Sequence, residues 1–211
     1  MGNDSFMAAC GMSRLDNVEM WCSRFKDWKI DTRNQKFGST ALNIALYMGP
    51  RKLDLVKYLV RESHVQIYIY IKQQFFDIKH INTPHNNVPQ VRDKRANIQI
   101  STKNGSSALI LACGNEDCDP KVVRYLLDCG VNVHRKITSS TIQWKILRAA
   151  SRLAVRLKIT RSRLTRRVAE SGGLTALHYA ARRGDMEIVE LLLEHGAKPS
   201  IKNDLGRDVL S

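Results

Sequence analysis

Apolar residues in this chain recur at three- and four-residue spacing in short paired runs rather than along one long face, the pattern of short amphipathic helices joined by turns. Leu42, Ile44 and Ala45 are followed by Leu55, Val56, Leu59 and Val60. Leu109, Leu111 and Ala112 are followed by Val122, Val123, Leu126 and Leu127, and Leu177, Ala180 and Ala181 by Ile188, Val189, Leu191 and Leu192. A glycine precedes each pair (Gly38, Gly105, Gly173), where a tight turn favours positive φ. Thr40, Ser107 and Thr175 then stand where a side-chain oxygen caps the coming helix. Leu42, Leu109 and Leu177 are the expected core positions, and Ala45, Ala112 and Ala180 are small enough to let neighbouring helices approach.

These pairs are copies of one unit. Gly173 to Gly184 followed by Ile188 to Ala197 resembles an ankyrin repeat at nearly every signature position, with Gly38 to Val60 and Gly105 to Gly130 as further matches. A weaker copy, Phe6 to Cys10 with Asp16 to Trp21, opens the chain and suits an N-terminal cap. The resemblance implies an all-α ankyrin-repeat solenoid of helix-turn-helix units with hairpin-like loops, interrupted by two irregular basic segments. Single units are too thin to stand alone, so stability comes from nearest-neighbour stacking.

The alanine ruler is uneven: Ala9 to Ala45 is 36 positions, Ala45 to Ala112 is 67 and Ala112 to Ala180 is 68. Each doubled interval holds either an eroded repeat or inserted sequence of similar length, or else translation foreign to the protein. The Ile146 to Ala150 run, similar to Leu177 to Ala181, leans towards erosion in the second interval. The organisation expected is two repeats in 1–62, an irregular or disordered insertion in 63–104, a repeat in 105–134, a basic helical segment or eroded repeat in 135–170, and a repeat with the start of another in 171–211. In the first interval, Val65 to Ile71 alternates like a strand, and Thr83 to Asn104 reads as a poorly ordered loop. In the second, apolar residues from Ile146 to Val168 recur at helical spacing among arginines, predicting a basic amphipathic helix over Thr141 to Ala169.

Charge follows the same division. Thirty-four Lys and Arg against 20 Asp and Glu give +14 over 211 residues. Arg135 to Ala169 holds eleven basic residues and no acid, and 63–104 holds six basic residues and two acids, so the rest of the chain is close to neutral. The basic helix suits an acidic, calmodulin-like groove with Ile146, Leu153 and Ile159 as anchors, or nucleic-acid phosphates, and less well an anionic membrane. The favoured expectation is blander: helices packed in the stack with a solvated arginine face.

The common catalytic signatures are absent, so no enzyme and no cofactor are expected. The best metal candidates by spacing are His80 with His85 and Cys113 with Cys118, but Cys113 falls at a core position, and no metal site is expected. Five cysteines without an export signal point to a reducing compartment, cytoplasmic or nuclear. By resemblance His178 braces a turn, and the family's exposed contact positions fall at Lys36, Phe37, Ser39, Tyr47, Met48, Lys103, Asn104, Ser106, Asn115, Leu174, Arg182 and Arg183. The expected activity is non-enzymatic binding of an unidentified, acidic protein through the concave surface and loop tips. A terminal cap is expected to be missing after Arg207.

Overall fold

The computed structural model describes residues 2–48, 53–60, 96–139 and 141–210. Among the described residues there are ten helices and no strand: α1 Gly2–Gly11, α2 Leu15–Arg24, α3 Ala41–Met48, α4 Leu53–Val60, α5 Ala108–Gly114, α6 Pro120–Asp128, α7 Ile142–Arg156, α8 Arg163–Glu170, α9 Ala176–Arg183 and α10 Met186–Glu194. The strand expected over Val65 to Ile71 and the histidines His80 and His85 lie outside the described residues.

The helices form two rows. α1, α3, α5 and α9 pack side by side as an inner row, and α4, α6 and α10 form an outer row behind them. Each inner helix pairs with its own outer helix (α1 with α2, α3 with α4, α5 with α6, α9 with α10), giving four helical hairpins around one apolar spine. Phe6, Leu42, Leu109 and Leu177 sit at equivalent points of that spine, each 2% exposed or less. Ala45, Ala112 and Ala180 are fully buried between the inner helices, where a larger side chain would wedge the units apart. The first unit closes with aromatics: Phe6 packs on Trp21 and Trp28, with ring centroids at 6.1 and 5.6 Å, and the two indoles pack on each other at 5.6 Å.

α5 packs directly against α9, and α3 directly against α5. Among the described residues no helical hairpin therefore intervenes in the stack at either doubled interval. Backbone hydrogen bonds locate the extra chain. After α6 and α10, the amides of Val131 and Ala197 return to the carbonyls of Leu126 and Leu192, five residues back, closing the helix ends around left-handed Gly130 and Gly196. After α4 the same bond runs from the amide of Ala96 to the carbonyl of Leu59, 37 positions back. Ala96 to Asn104, expected in the irregular insertion, is thus part of the stack: Ala96 and Thr102 are buried, and Asn43 of α3 donates to the Ile100 carbonyl at 3.4 Å.

The second interval opens elsewhere. Loops between units close through an amide-to-carbonyl pair: Asn34 to Ser39, Thr102 to Ser106 and Asn203 to Arg207. The third loop closes between Ile137 and Leu174 at 2.9 Å, and the amide of Gly173 returns to the carbonyl of Ile137. That return spans three positions from Thr102 to Gly105 and from Asn203 to Gly206, but 36 from Ile137 to Gly173, so 33 additional residues emerge from the tip of one loop. They form α7 and α8, which pack on each other as a hairpin.

The single amphipathic helix expected over Thr141 to Ala169 is therefore two helices. The break falls at Lys158, whose φ of 56° ends α7 in the left-handed cap conformation usually given to glycine, and Ser162 then caps α8 by accepting from the Thr165 amide at 3.4 Å.

Candidate partner-binding surface

The loops between units and the C-terminal ends of the inner helices carry all twelve predicted contact positions. Loop stacking is tight. The Lys103 amide donates to the Phe37 carbonyl at 3.0 Å, and the Asp204 amide to Gly172 at 3.1 Å. A Cβ at Gly173, whose φ is 72°, would lie 2.7 Å from the Asp204 amide nitrogen, so only glycine fits.

That closeness removes several predicted contacts from the surface. Ser39, Ser106 and Leu174 are buried, their carbonyls accepting the loop-closing bonds from Asn34, Thr102 and Ile137. Lys103 reaches back with its ammonium to the Gln35 carbonyl. Asn104 accepts from the Ser106 amide through its side chain and from Arg148 through its carbonyl. Asn115 donates to the Leu46 carbonyl of α3 at 3.1 Å, tying α3 to α5.

Arg183 is the largest correction. Its guanidinium donates to the carbonyls of Cys113 at 3.0 Å, Asn115 at 2.6 Å and Glu116 at 3.0 Å, and pairs with Asp185 at 3.5 Å. It satisfies the C-terminal carbonyls of the neighbouring α5, groups that otherwise lack an intrahelical partner. It is an internal staple between units rather than a cation presented to a partner.

Lys36, Phe37, Tyr47, Met48 and Arg182 remain exposed. Tyr47, Gly114 and Arg182 occupy equivalent positions on α3, α5 and α9, and the Tyr179 ring packs against Gly114, 3.4 Å from where a Cβ would stand. Arg182 stacks its guanidinium 4.9 Å from the Tyr179 ring centre. Burial pushes the Tyr179 phenol above its usual value; the Arg182 and Arg148 guanidiniums lower it, and the Tyr47 phenol raises it. Tyr47 and Arg182, from different units, thus act on one tyrosine. Lys36 lies over the Phe37 ring at 5.4 Å on the adjoining loop. Tyr179, which the residue pattern did not single out, is partly buried against the apolar spine.

His178 is buried and faces Thr175, whose amide lies 3.3 Å and hydroxyl 2.8 Å from Nδ1, so the ring braces the start of α9. Burial lowers its pKa from the ordinary histidine value, against an opposing contribution from the Arg207 backbone. The same position holds Asn43, which binds the next loop, and Ile110, which has no polar group to do so.

Cys113 is fully buried and burial pushes its thiol far above the usual range, while the Cys10 thiol is pushed up to about 12; neither is a thiolate at neutral pH. Among the described residues no cluster of His, Cys, Asp and Glu has a metal-holding arrangement.

A segment of 44 residues, 21% of the chain, is 46% identical to ankyrin repeat protein L92 of Acanthamoeba polyphaga mimivirus, and covers 11% of that protein's length. The family model for ankyrin repeats in three copies matches residues 86–203, more than half of the sequence. On that match, and on four stacked helical hairpins with their signature leucines buried, the chain belongs to the ankyrin repeat family.

Proposed function

We propose that the chain is a non-enzymatic interaction module that binds an acidic partner protein through the inner-row surface of Tyr47, Met48, Tyr179 and Arg182, with Lys36 and Phe37 on the adjoining loop. Ankyrin repeats are in general protein–protein interaction modules. The observation that carries the reading is the exposed Tyr47 and Arg182, an aromatic and a guanidinium at equivalent positions on α3 and α9, on either side of Gly114, which presents no side chain of its own. Such residues dominate binding energy when covered by a partner. Lys36 and Arg182 both present positive charge, which selects carboxylate-bearing partners. Five cysteines held as thiols fit action in a reducing compartment, the cytoplasm or the nucleus.

Affinity capture with the native chain, Tyr47→Ala and Arg182→Glu tests this. A partner retained by the native chain and weakened about tenfold or more by either substitution, with unchanged melting temperature, supports the surface. Partners indifferent to both substitutions refute it.

A further inference from the structure

α7 is amphipathic in the reverse sense to the rest of the molecule. Ile142, Ile146, Ala149, Ala150, Leu153 and Leu157 share one helical face. Ile142 is 68% exposed, Ile146 62%, Leu153 57% and Leu157 58%. The opposite face carries polar groups inward. Arg148 is buried, donating to the Ser171 hydroxyl at 3.2 Å and to the Asn104 carbonyl at 2.8 Å. Ser151 is buried beside it, and Arg152 donates to the Ala169 carbonyl and pairs with Asp204 at 2.8 Å. Asn104 and Asp204 belong to the loops on either side of the one that bears the hairpin, so two arginines fix which way α7 faces. The expectation that these helices pack in the stack is thereby corrected: an aliphatic stripe about 22 Å long points to solvent.

Cations border that stripe. Lys145 and Arg156 are exposed along one edge, and Lys158, Arg161, Arg163, Arg166 and Arg167 are exposed at the turn and on α8, where Ile159 and Leu164 also stand out in water. From Arg135 to Ala169 no acid offsets them.

We propose that the α7–α8 hairpin docks on an anionic lipid surface, with the aliphatic stripe in the acyl boundary and the arginines among the headgroups. Aliphatic side chains beside a cluster of five or more basic residues match an interfacial helix on acidic lipid. Other occupants fit less well. A second copy brings the same positive charge to the contact. Nucleic acid would engage the arginines and leave the stripe in water. A groove that wraps a target helix needs access to all sides, and the rear of α7 is taken by Ser171, Asn104 and Asp204. A plane needs only one face. No helix among the described residues is long and apolar enough to cross a bilayer, so the contact is peripheral.

The test is co-sedimentation of the full chain with vesicles of phosphatidylcholine alone and of phosphatidylcholine with about a third phosphatidylserine. Binding is expected to the serine-lipid vesicles and to weaken as salt rises. Ile146→Ala with Leu153→Ala keeps helix propensity and is expected to weaken binding at least about tenfold. Replacing Arg161, Arg163, Arg166 and Arg167 by Gln is expected to weaken it about a hundredfold or more. Failure to sediment with serine-lipid vesicles overturns the proposal. So does binding untouched by the paired alanines, or tighter capture by a double-stranded oligonucleotide or by calcium-loaded calmodulin, used as probes of phosphate and of an acidic groove. Neither result bears on the Tyr47 surface, which lies outside the hairpin.

Discussion

α5 and α7 both carry apolar residues at helical spacing, yet α5 turns Leu109, Ala112 and Cys113 into the spine while α7 turns Ile146 and Leu153 into water. The difference lies in their neighbours. α5 has an inner helix on each side and α6 behind, so its apolar face has three surfaces to meet. α7 hangs from a loop tip with α8 as its main helical contact, and its arginines find carbonyl and carboxylate partners on the flanking loops. Periodicity thus specifies that a helix has a face; tertiary surroundings decide where that face points.

Matched leucine truncations break the comparison most sharply. Leu109→Ala is expected to cost about 2–5 kcal/mol, because it empties a site shared by two unit interfaces. Leu153→Ala is expected to stay within about 0.5 kcal/mol of the native chain, both read by denaturant unfolding. An equal cost for the two would mean that α7 is a stack helix.

Arg183→Ala comes next. Losing its three carbonyl bonds uncaps α5 from the neighbouring unit, and a cost of about 1–3 kcal/mol is expected, with Arg182→Ala near zero. Melting temperatures of the two variants separate the staple from the surface cation.

A smaller effect is acid sensitivity within the stack. Burial holds His178 below its ordinary pKa, so the unfolded chain binds the proton more readily than the folded one. The stability contributed by the neutral ring is present above the unfolded value of about 6.5 and is lost as pH falls from there towards the depressed folded value. His178→Asn, which copies the residue at position 43, is expected to reduce the drop in melting temperature between neutral and mildly acid pH.

Most of the stack was legible in the residues. The buried leucines, the positive-φ glycines at 38, 105 and 173, and the capping Ser107 are where the repeat pattern puts them. The intervals misled because the added chain is close to one repeat in length, 33 residues more between Ile137 and Gly173 than the other loops hold at that point, and spacing alone does not distinguish a repeat from an insertion of that size. Long-range polar contacts hid the surface. Arg183 and Asn115 look available in sequence, and their partners lie 67 to 70 positions away. The orientation of α7 was hidden likewise, since Arg148 and Arg152 are anchored by residues from three other segments.

Removing residues 139–171 tests most directly whether α5 and α9 are true neighbours, because it leaves Ile137 and Gly173 three positions apart, as Thr102 and Gly105 are. The shortened chain is expected to unfold in a single cooperative transition, within about 2 kcal/mol of the native chain, since it loses only the hairpin and its arginine contacts. Loss of cooperative unfolding, or separate melting of the segments before and after the junction, would contradict direct stacking of α5 on α9.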